Sequence, residues 1–120
     1  MPQNKSYCCP ERPMNRFLEV CLLIALKEGP MHGYGLIERI EPFGFYSGEL
    51  NLGPLYRTLR KMEEQMLVSS AWQEGEGGPR KRVYEITPAG EEALVEWIEI
   101  LTFRQQRLDK VISYYREKLC

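Results

Sequence analysis

No stretch of the chain carries the roughly 18 consecutive apolar residues that a membrane-spanning helix needs, and its longest apolar candidate runs only from Val20 to Leu26. No secretory leader is expected either. Residues 1–13 are polar and hold three prolines where such a leader has its apolar centre, so a cytoplasmic protein is expected. There is no excess of positive charge either, since sixteen Lys and Arg face seventeen Asp and Glu for a formal net charge of −1. That balance excludes a general polyanion binder and confines any nucleic-acid contact to a local patch. The single histidine, His32, sits beside a glycine with no second ligand near it, which points to a structural role at a helix start rather than metal or proton chemistry. No Ser, His and Asp set is placed for nucleophilic work, and the glycine-rich stretch does not open a helix as a phosphate-binding loop would. An enzyme is therefore not expected.

The four cysteines form no Cys-x-x-Cys pair and no zinc-finger spacing, so neither a bound metal nor a cofactor is expected. Cys21 lies within an apolar helical pattern and is expected to be a small buried side chain. Cys8, Cys9 and Cys120 lie at the ends, where the bland reading is tail thiols and the sharper one is a redox- or metal-sensing element.

What the chain does have is concentrated between Asn51 and Gly90. A short helical pattern is followed by two β patterns, Val68 to Gln73 and Lys81 to Ile86, joined by a turn built on Glu76-Gly77-Gly78-Pro79. Three consecutive cations, Arg80, Lys81 and Arg82, flank that turn. A basic helix followed by a basic hairpin is the layout of a winged helix. The expected fold is mainly α (α+β): a flexible tail over residues 1–13, a winged helix-turn-helix domain over 14–87, and a long dimerisation helix over 88–120.

Asn15 is placed to cap a first helix in which Phe17, Leu18, Cys21, Leu22, Ala25 and Leu26 recur at helical spacing, with Val20, Leu23 and Ile24 widening the stripe. A helix so apolar is buried on most sides, and part of it is free to face a second subunit. Gly29-Pro30 ends it. Met31 to Ile40 reads as a second, short helix stopped by Pro42, followed by a loop in which Phe43, Phe45 and Tyr46 are available for packing.

Asn51 caps the third helix, whose core face is Leu55, Leu59, Met62 and Met66. The opposite stripe carries Arg57, Thr58 and Lys61, with Arg60 alongside. Arg pairs with guanine, Thr touches a thymine methyl, and neighbouring cations hold phosphates, so this stripe is the candidate reading face. On the wing, strand alternation allows at most two of Arg80, Lys81 and Arg82 to grip one backbone. A solvated helix face and a hairpin charged for solubility are the competing readings.

Thr87 and Pro88 open a final helix with no later proline or glycine after Gly90, long enough for about 30 residues. Along it Leu94, Trp97, Leu101, Leu108, Val111 and Tyr115 form a seam of the coiled-coil kind, with Ile98, Ile112 and Leu119 beside it. A second copy of the chain is the economical partner. Arg104 to Arg107 interrupt the stripe, either as solvent-facing turns or as a wet gap between subunits. Trp97 is either core or one wall of a ligand cavity at the dimer interface.

Taken as an ordered set, His32-Gly33-Tyr34-Gly35-Leu36, Gly53-Pro54-Leu55-Tyr56-Arg57-Thr58-Leu59, Leu67-Val68, Gly77 to Tyr84 and Thr87-Pro88-Ala89-Gly90 resemble the PadR family of bacterial transcriptional regulators over about Arg16 to Leu119. The resemblance implies a homodimeric winged-helix repressor on a palindromic operator of double-stranded DNA, responsive to a small-molecule or polymer effector. It implies DNA contacts from Tyr34, Tyr56, Arg57, Thr58, Lys61, Arg80 and Lys81. It also implies dimerisation through the last helix, assisted by the partner's first helix, which places Leu18 and Leu22 at the interface. With one helix after Gly90 the chain is similar to the short branch of the family. Some short-branch members bind flat aromatic drugs between tryptophans of the last helix, and the corresponding place holds Leu101, with Trp97 a turn earlier. The string Tyr56 to Lys61 with Glu76 to Pro79 is also similar to the family's polyhydroxybutyrate-responsive repressors.

Overall fold

The computed structural model describes residues 11–44, 51–74, 78 and 80–119, with side chains from residue 17 onward. Among them are four helices and a small antiparallel sheet: α1 (Glu11–Lys27), β1 (Met31–His32), α2 (Gly33–Ile40), α3 (Leu52–Glu64), β2 (Val68–Gln73), β3 (Lys81–Ile86) and α4 (Pro88–Lys118). The strand order is β1-β3-β2. The fold is mainly helical, a winged helix-turn-helix with a long C-terminal helix. Among the described residues no helix is long and apolar enough to cross a membrane.

α1 begins at Glu11, so Asn15 lies inside the helix and is not its cap. Pro13 sits in the first turn, where its missing N–H breaks no intrahelical bond. Cys8, Cys9 and Cys120 lie outside the described residues. α1 runs through the centre of the domain and packs against α2, α3, β3 and α4. This corrects the expectation for Leu18 and Leu22: at 6% and 0% exposure both belong to the chain's own core and offer no surface to a second copy. The all-round apolar pattern reflects burial by four elements of the same chain. Beyond its end, Gly29 takes φ +141°, and Arg39 of α2 donates to the Ala25 and Gly29 carbonyls at 2.9 and 2.8 Å. Those contacts satisfy acceptors that a helix end leaves open.

Met31 and His32 form a strand, pairing with Tyr84 and Val83, rather than the first turn of a helix. Two residues are too few to show alternation. His32 then takes the helix-start role: its Nδ1 accepts from the Gly35 N–H at 3.2 Å as N-cap of α2. α2 ends at Ile40, and Pro42 stands in a short 3-10 turn over Glu41–Phe43. Phe43 is exposed, while Phe45 and Tyr46 lie outside the described residues.

Leu55, Leu59 and Met62 of α3 are buried as the period requires. Asn51 takes the N-cap position without a side-chain bond. Met66, expected as the fourth core residue, is instead 70% exposed at φ +66°. α3 has already ended: the Leu67 N–H bonds the Met62 carbonyl at 2.9 Å and the Met66 N–H bonds the Glu63 carbonyl at 3.0 Å. This is a Schellman cap with methionine where glycine is usual. Met66→Gly is expected to stabilise the fold by about 0.5 to 1 kcal/mol, since an L-residue in this conformation costs about 1 to 2 kcal/mol and glycine returns part of that as unfolded-chain entropy. Thermal unfolding of the two proteins checks it; no rise in midpoint rejects it.

β2 and β3 match the sequence reading residue for residue, from Val68 opposite Ile86 to Gln73 opposite Lys81. Thr87 accepts from the Gly90 N–H at 3.0 Å and donates to the Met66 carbonyl at 2.7 Å, fastening the start of α4 to the end of α3. A Cβ at residue 90 would run into the Leu67 carbonyl oxygen, so glycine is required there by close approach. α4 is 31 residues long. Leu94 is buried and Trp97 and Leu101 pack against the core edge, but every described residue from 102 onward is exposed. The projecting helix gives the molecule its 62 × 30 × 25 Å shape.

Candidate nucleic-acid interface

Three elements converge on one open cleft of about 560 Å³. The start of α2 contributes His32 and Tyr34, and α3 contributes Tyr56, Arg60 and Glu63. The hairpin adds Trp72, Arg80, Lys81, Arg82 and Tyr84. Local sequence explains the meeting of the helices: Gly33 has no Cβ, and the Tyr56 ring occupies the space one would fill. Gly35 makes the same room for Met31. Tyr56 then stands 6.3 Å from the Tyr84 ring at the floor. Tyr84 is buried, and its hydroxyl pKa is raised by that burial, with Arg82 pulling the other way. It stays neutral at physiological pH.

Helical geometry sorts the cations of α3. At about 100° per residue, Tyr56, Arg60 and Glu63 flank the core face on the hairpin side, Arg57 points away from the core, and Lys61 lies on the far side. Arg57, Thr58 and Lys61, the stripe read from the sequence, therefore do not line the cleft. Lys61 turns toward α1 and pairs with Glu19 at 3.8 Å, and Thr58 is partly buried on that side. Arg57 remains exposed at the outer surface of α3.

The wing also departs from strict alternation, since Arg80, Lys81 and Arg82 all line the cleft. Arg80 precedes the strand and escapes its pleat, while Lys81 is the terminal rung of the ladder. Arg82 is the restrained one. Its Nε donates to Ser70 Oγ at 3.0 Å, its Nη2 lies 3.8 Å from Glu63 Oε1, and its guanidinium sits 5.3 Å from the Trp72 ring centroid. Ser70 Oγ donates in turn to Glu63 Oε2 at 2.8 Å. Arg80 meets Glu74 at 4.0 Å in full view of solvent, a pair worth little. Among the described residues Arg57, Arg60 and Lys81 form no ion pair.

His32, Glu63, Trp72 and Tyr84 are the cleft residues that sequence reading did not place there. Trp72 was legible only as β-favouring bulk, yet it is 56% exposed opposite Arg82. The hairpin register carries that signal, and periodicity alone does not.

Residues 22–96 match the sequence profile of the transcriptional regulator PadR-like family. The chain belongs to the PadR-like family. This PadR-like chain is 34% identical to a proposed transcriptional regulator of Mycobacterium tuberculosis over 77 residues, 64% of this chain and 41% of that protein. It spans less than half the length of the curated relatives it matches. Its fold is similar to that of a proposed transcriptional regulator from Thermoplasma acidophilum, with a TM-score of 0.75 at 28% identity, covering 85% of this chain and 96% of that one. Bacillus subtilis PadR, solved in complex with operator DNA, matches with a TM-score of 0.61 at 20% identity over 69% of this chain and 47% of that one. The family is one of transcriptional regulators and not of enzymes.

Elsewhere, Trp97 and Leu101 are half-buried at the edge of the core, and the Arg104 guanidinium lies 6.0 Å from the Trp97 ring centroid. Cys21 is buried, and burial pushes its thiol up to about 11. With the usual value at 9.0, the stability this provides is complete below pH 9 and is lost as pH rises toward 11. At pH 8 roughly one Cys21 in a thousand is thiolate, the nucleophilic form. A variant with Cys8, Cys9 and Cys120 replaced by Ser should therefore show no fast reaction with a thiol reagent at pH 8 until it is unfolded. Rapid labelling of the native variant would contradict the burial.

Proposed function

We propose that this PadR-like chain acts as a homodimeric, sequence-specific DNA-binding repressor, released from a palindromic operator by a small-molecule or polymer signal. The observation that carries the reading is the single cleft where the start of α2, the hairpin-side face of α3 and the wing bring tyrosines and cations together. In this reading Arg57 reaches base edges in the major groove, as the second helix of the motif does when it lies there, and Arg60 holds a flanking phosphate. Tyr34 and Tyr56 pack along the backbone, and Arg80 and Lys81 hold phosphates on the wing side. Thr58 and Lys61 serve at the margin. B. subtilis PadR in its complex with operator DNA supports DNA as the partner.

Support for the dimer comes from α4, where Leu108, Val111, Ile112, Tyr115 and Leu119 stand exposed along one projecting helix. Such a stripe calls for cover, and a second α4 with the same spacing supplies it. Leu94, Trp97 and Leu101 continue the seam toward the core, and Trp97 with Leu101 forms the wall against which an effector would sit once the dimer closes. Occupying an operator within a promoter then blocks transcription.

Binding to DNA from upstream of the chain's own gene tests the reading, with Arg57→Ala and Arg60→Ala combined as the control. Tight, site-specific binding that the double variant loses supports it. Weak binding indifferent to those residues would favour a protein-interaction adaptor instead.

A further inference from the structure

A carboxylate at the floor of a DNA-facing cleft is costly, because it repels the phosphates that the surrounding cations attract. Glu63 is such a group: it lines the cleft with Arg60, Arg80, Lys81 and Arg82. Both of its oxygens are engaged, Oε2 accepting from Ser70 and Oε1 facing Arg82. Ser70 closes a triangle by accepting from Arg82 Nε, and the Trp72 ring bounds the guanidinium. The guanidinium thus has three separate tethers, whereas Arg60 and Lys81 form no ion pair among the described residues.

We infer that Glu63 is a specificity-determining residue that withholds Arg82 from the phosphates of arbitrary DNA and yields it where an operator brings a phosphate against the wing. The inference rests on the DNA-binding reading above. Its logic lies in how non-specific affinity arises: every freely available cation adds counterion release on any sequence alike, which raises background binding without adding discrimination. A cation held by an internal carboxylate contributes little to a loose, sequence-blind encounter. It contributes fully when the reading helix is seated and the wing backbone contact is close. Arg82 and Ser70 come from opposite strands of the hairpin and Glu63 from α3, so the same triangle fixes the wing against the reading helix.

The test is Glu63→Gln, which retains a side-chain oxygen for Ser70 and removes the charge facing Arg82. Binding is measured on operator-bearing promoter DNA and on a sequence-scrambled duplex across a salt series. On the scrambled duplex the affinity is expected to rise roughly five- to tenfold at about 0.1 M salt, and the salt slope to steepen by about 0.9 per subunit whose Arg82 reaches a phosphate. Operator affinity should rise less, because Arg82 is already engaged there, so the ratio of specific to non-specific binding falls. Ser70→Ala, which removes the third corner, is expected to act in the same direction and more weakly. Adding Arg82→Gln to Glu63→Gln should cancel the gain. Glu64→Gln removes an equal charge one residue on, at an exposed position, and should leave the slope nearly unchanged.

An unchanged slope and affinity on scrambled DNA in Glu63→Gln would overturn the inference, as would Glu64→Gln reproducing the effect. Weaker binding to both duplexes with no steeper slope would reduce Glu63 to a structural support and also overturn it. Wild-type protein binding neither duplex in a salt-dependent way would remove the DNA-binding reading itself, an outcome distinct from normal operator binding with an inert Glu63.

Discussion

Raising the salt from about 50 to 200 mM should weaken operator binding by roughly a thousand- to ten-thousandfold, with a slope magnitude of about 5 to 7. That is a steep dependence for a chain of net charge −1, and it follows from where the charges stand. Each subunit presents Arg57 and Arg60 on α3 and Arg80 and Lys81 on the wing, and a dimer using three or four cations per subunit reaches that slope at about 0.9 per phosphate contact. The balancing carboxylates lie mostly elsewhere. Glu91, Glu92, Glu96 and Glu99, for instance, are on α4, and none of them lines the cleft. The structure sharpens the expectation residue by residue. Arg60→Ala should reduce the slope by about 1 per subunit, whereas Lys61→Ala, whose charge is turned toward Glu19 on α1, should change it little. Equilibrium titrations at four or five salt concentrations measure all three proteins. A wild-type slope near 1 would show that these cations are not the DNA surface.

Replacing Leu108 and Val111 together by Glu should yield a folded monomer whose operator affinity is lower by roughly a hundredfold or more. Both residues are largely exposed, at 60% and 67%, and neither belongs to the core cluster, so the domain has no need of them for its own stability. In a dimer they fall at the seam, where two added carboxylates per chain meet their copies in an apolar contact. Burying such charges unpaired is prohibitive. A monomer then engages one half-site, losing the effective-concentration gain of about 100- to 10,000-fold that joining two binding modules confers. Sedimentation gives the oligomeric state, circular dichroism the fold, and titration the affinity. A variant that remains dimeric and binds normally would show that the α4 stripe serves some other contact.

Much of the fold was legible because it is written in near-neighbour spacing. The limits of β2 and β3, the Thr87 cap, the length of α4, the buried stripe of α3 and the helix-start role of His32 each depend on residues within a turn or a strand of one another. Where the reading failed, spacing alone had not decided. Asn15 had the chemistry of a cap, but α1 continues back to Glu11. Met66 kept the helical period, but the chain had already turned to deliver Leu67 and Val68 toward the sheet, as the hydrogen bonds to Met62 and Glu63 record. Leu18 and Leu22 looked available to a partner because an apolar helix alone does not reveal how many neighbours its own chain will supply.

The candidate site divides along the same line. Sequence by itself determined that the chain would build a basic helix and a basic hairpin in succession, with little net charge and a long apolar-striped helix to follow. It also determined the glycines that let Tyr56 and Leu67 approach so closely. Only the tertiary structure decided which cations share a space: Arg60 with the wing, Lys61 with Glu19, and Arg82 with Glu63, Ser70 and Trp72. The physical reason is that periodicity settles which side of an element a side chain takes, whereas the partner it meets there depends on strand register and on how two elements cross.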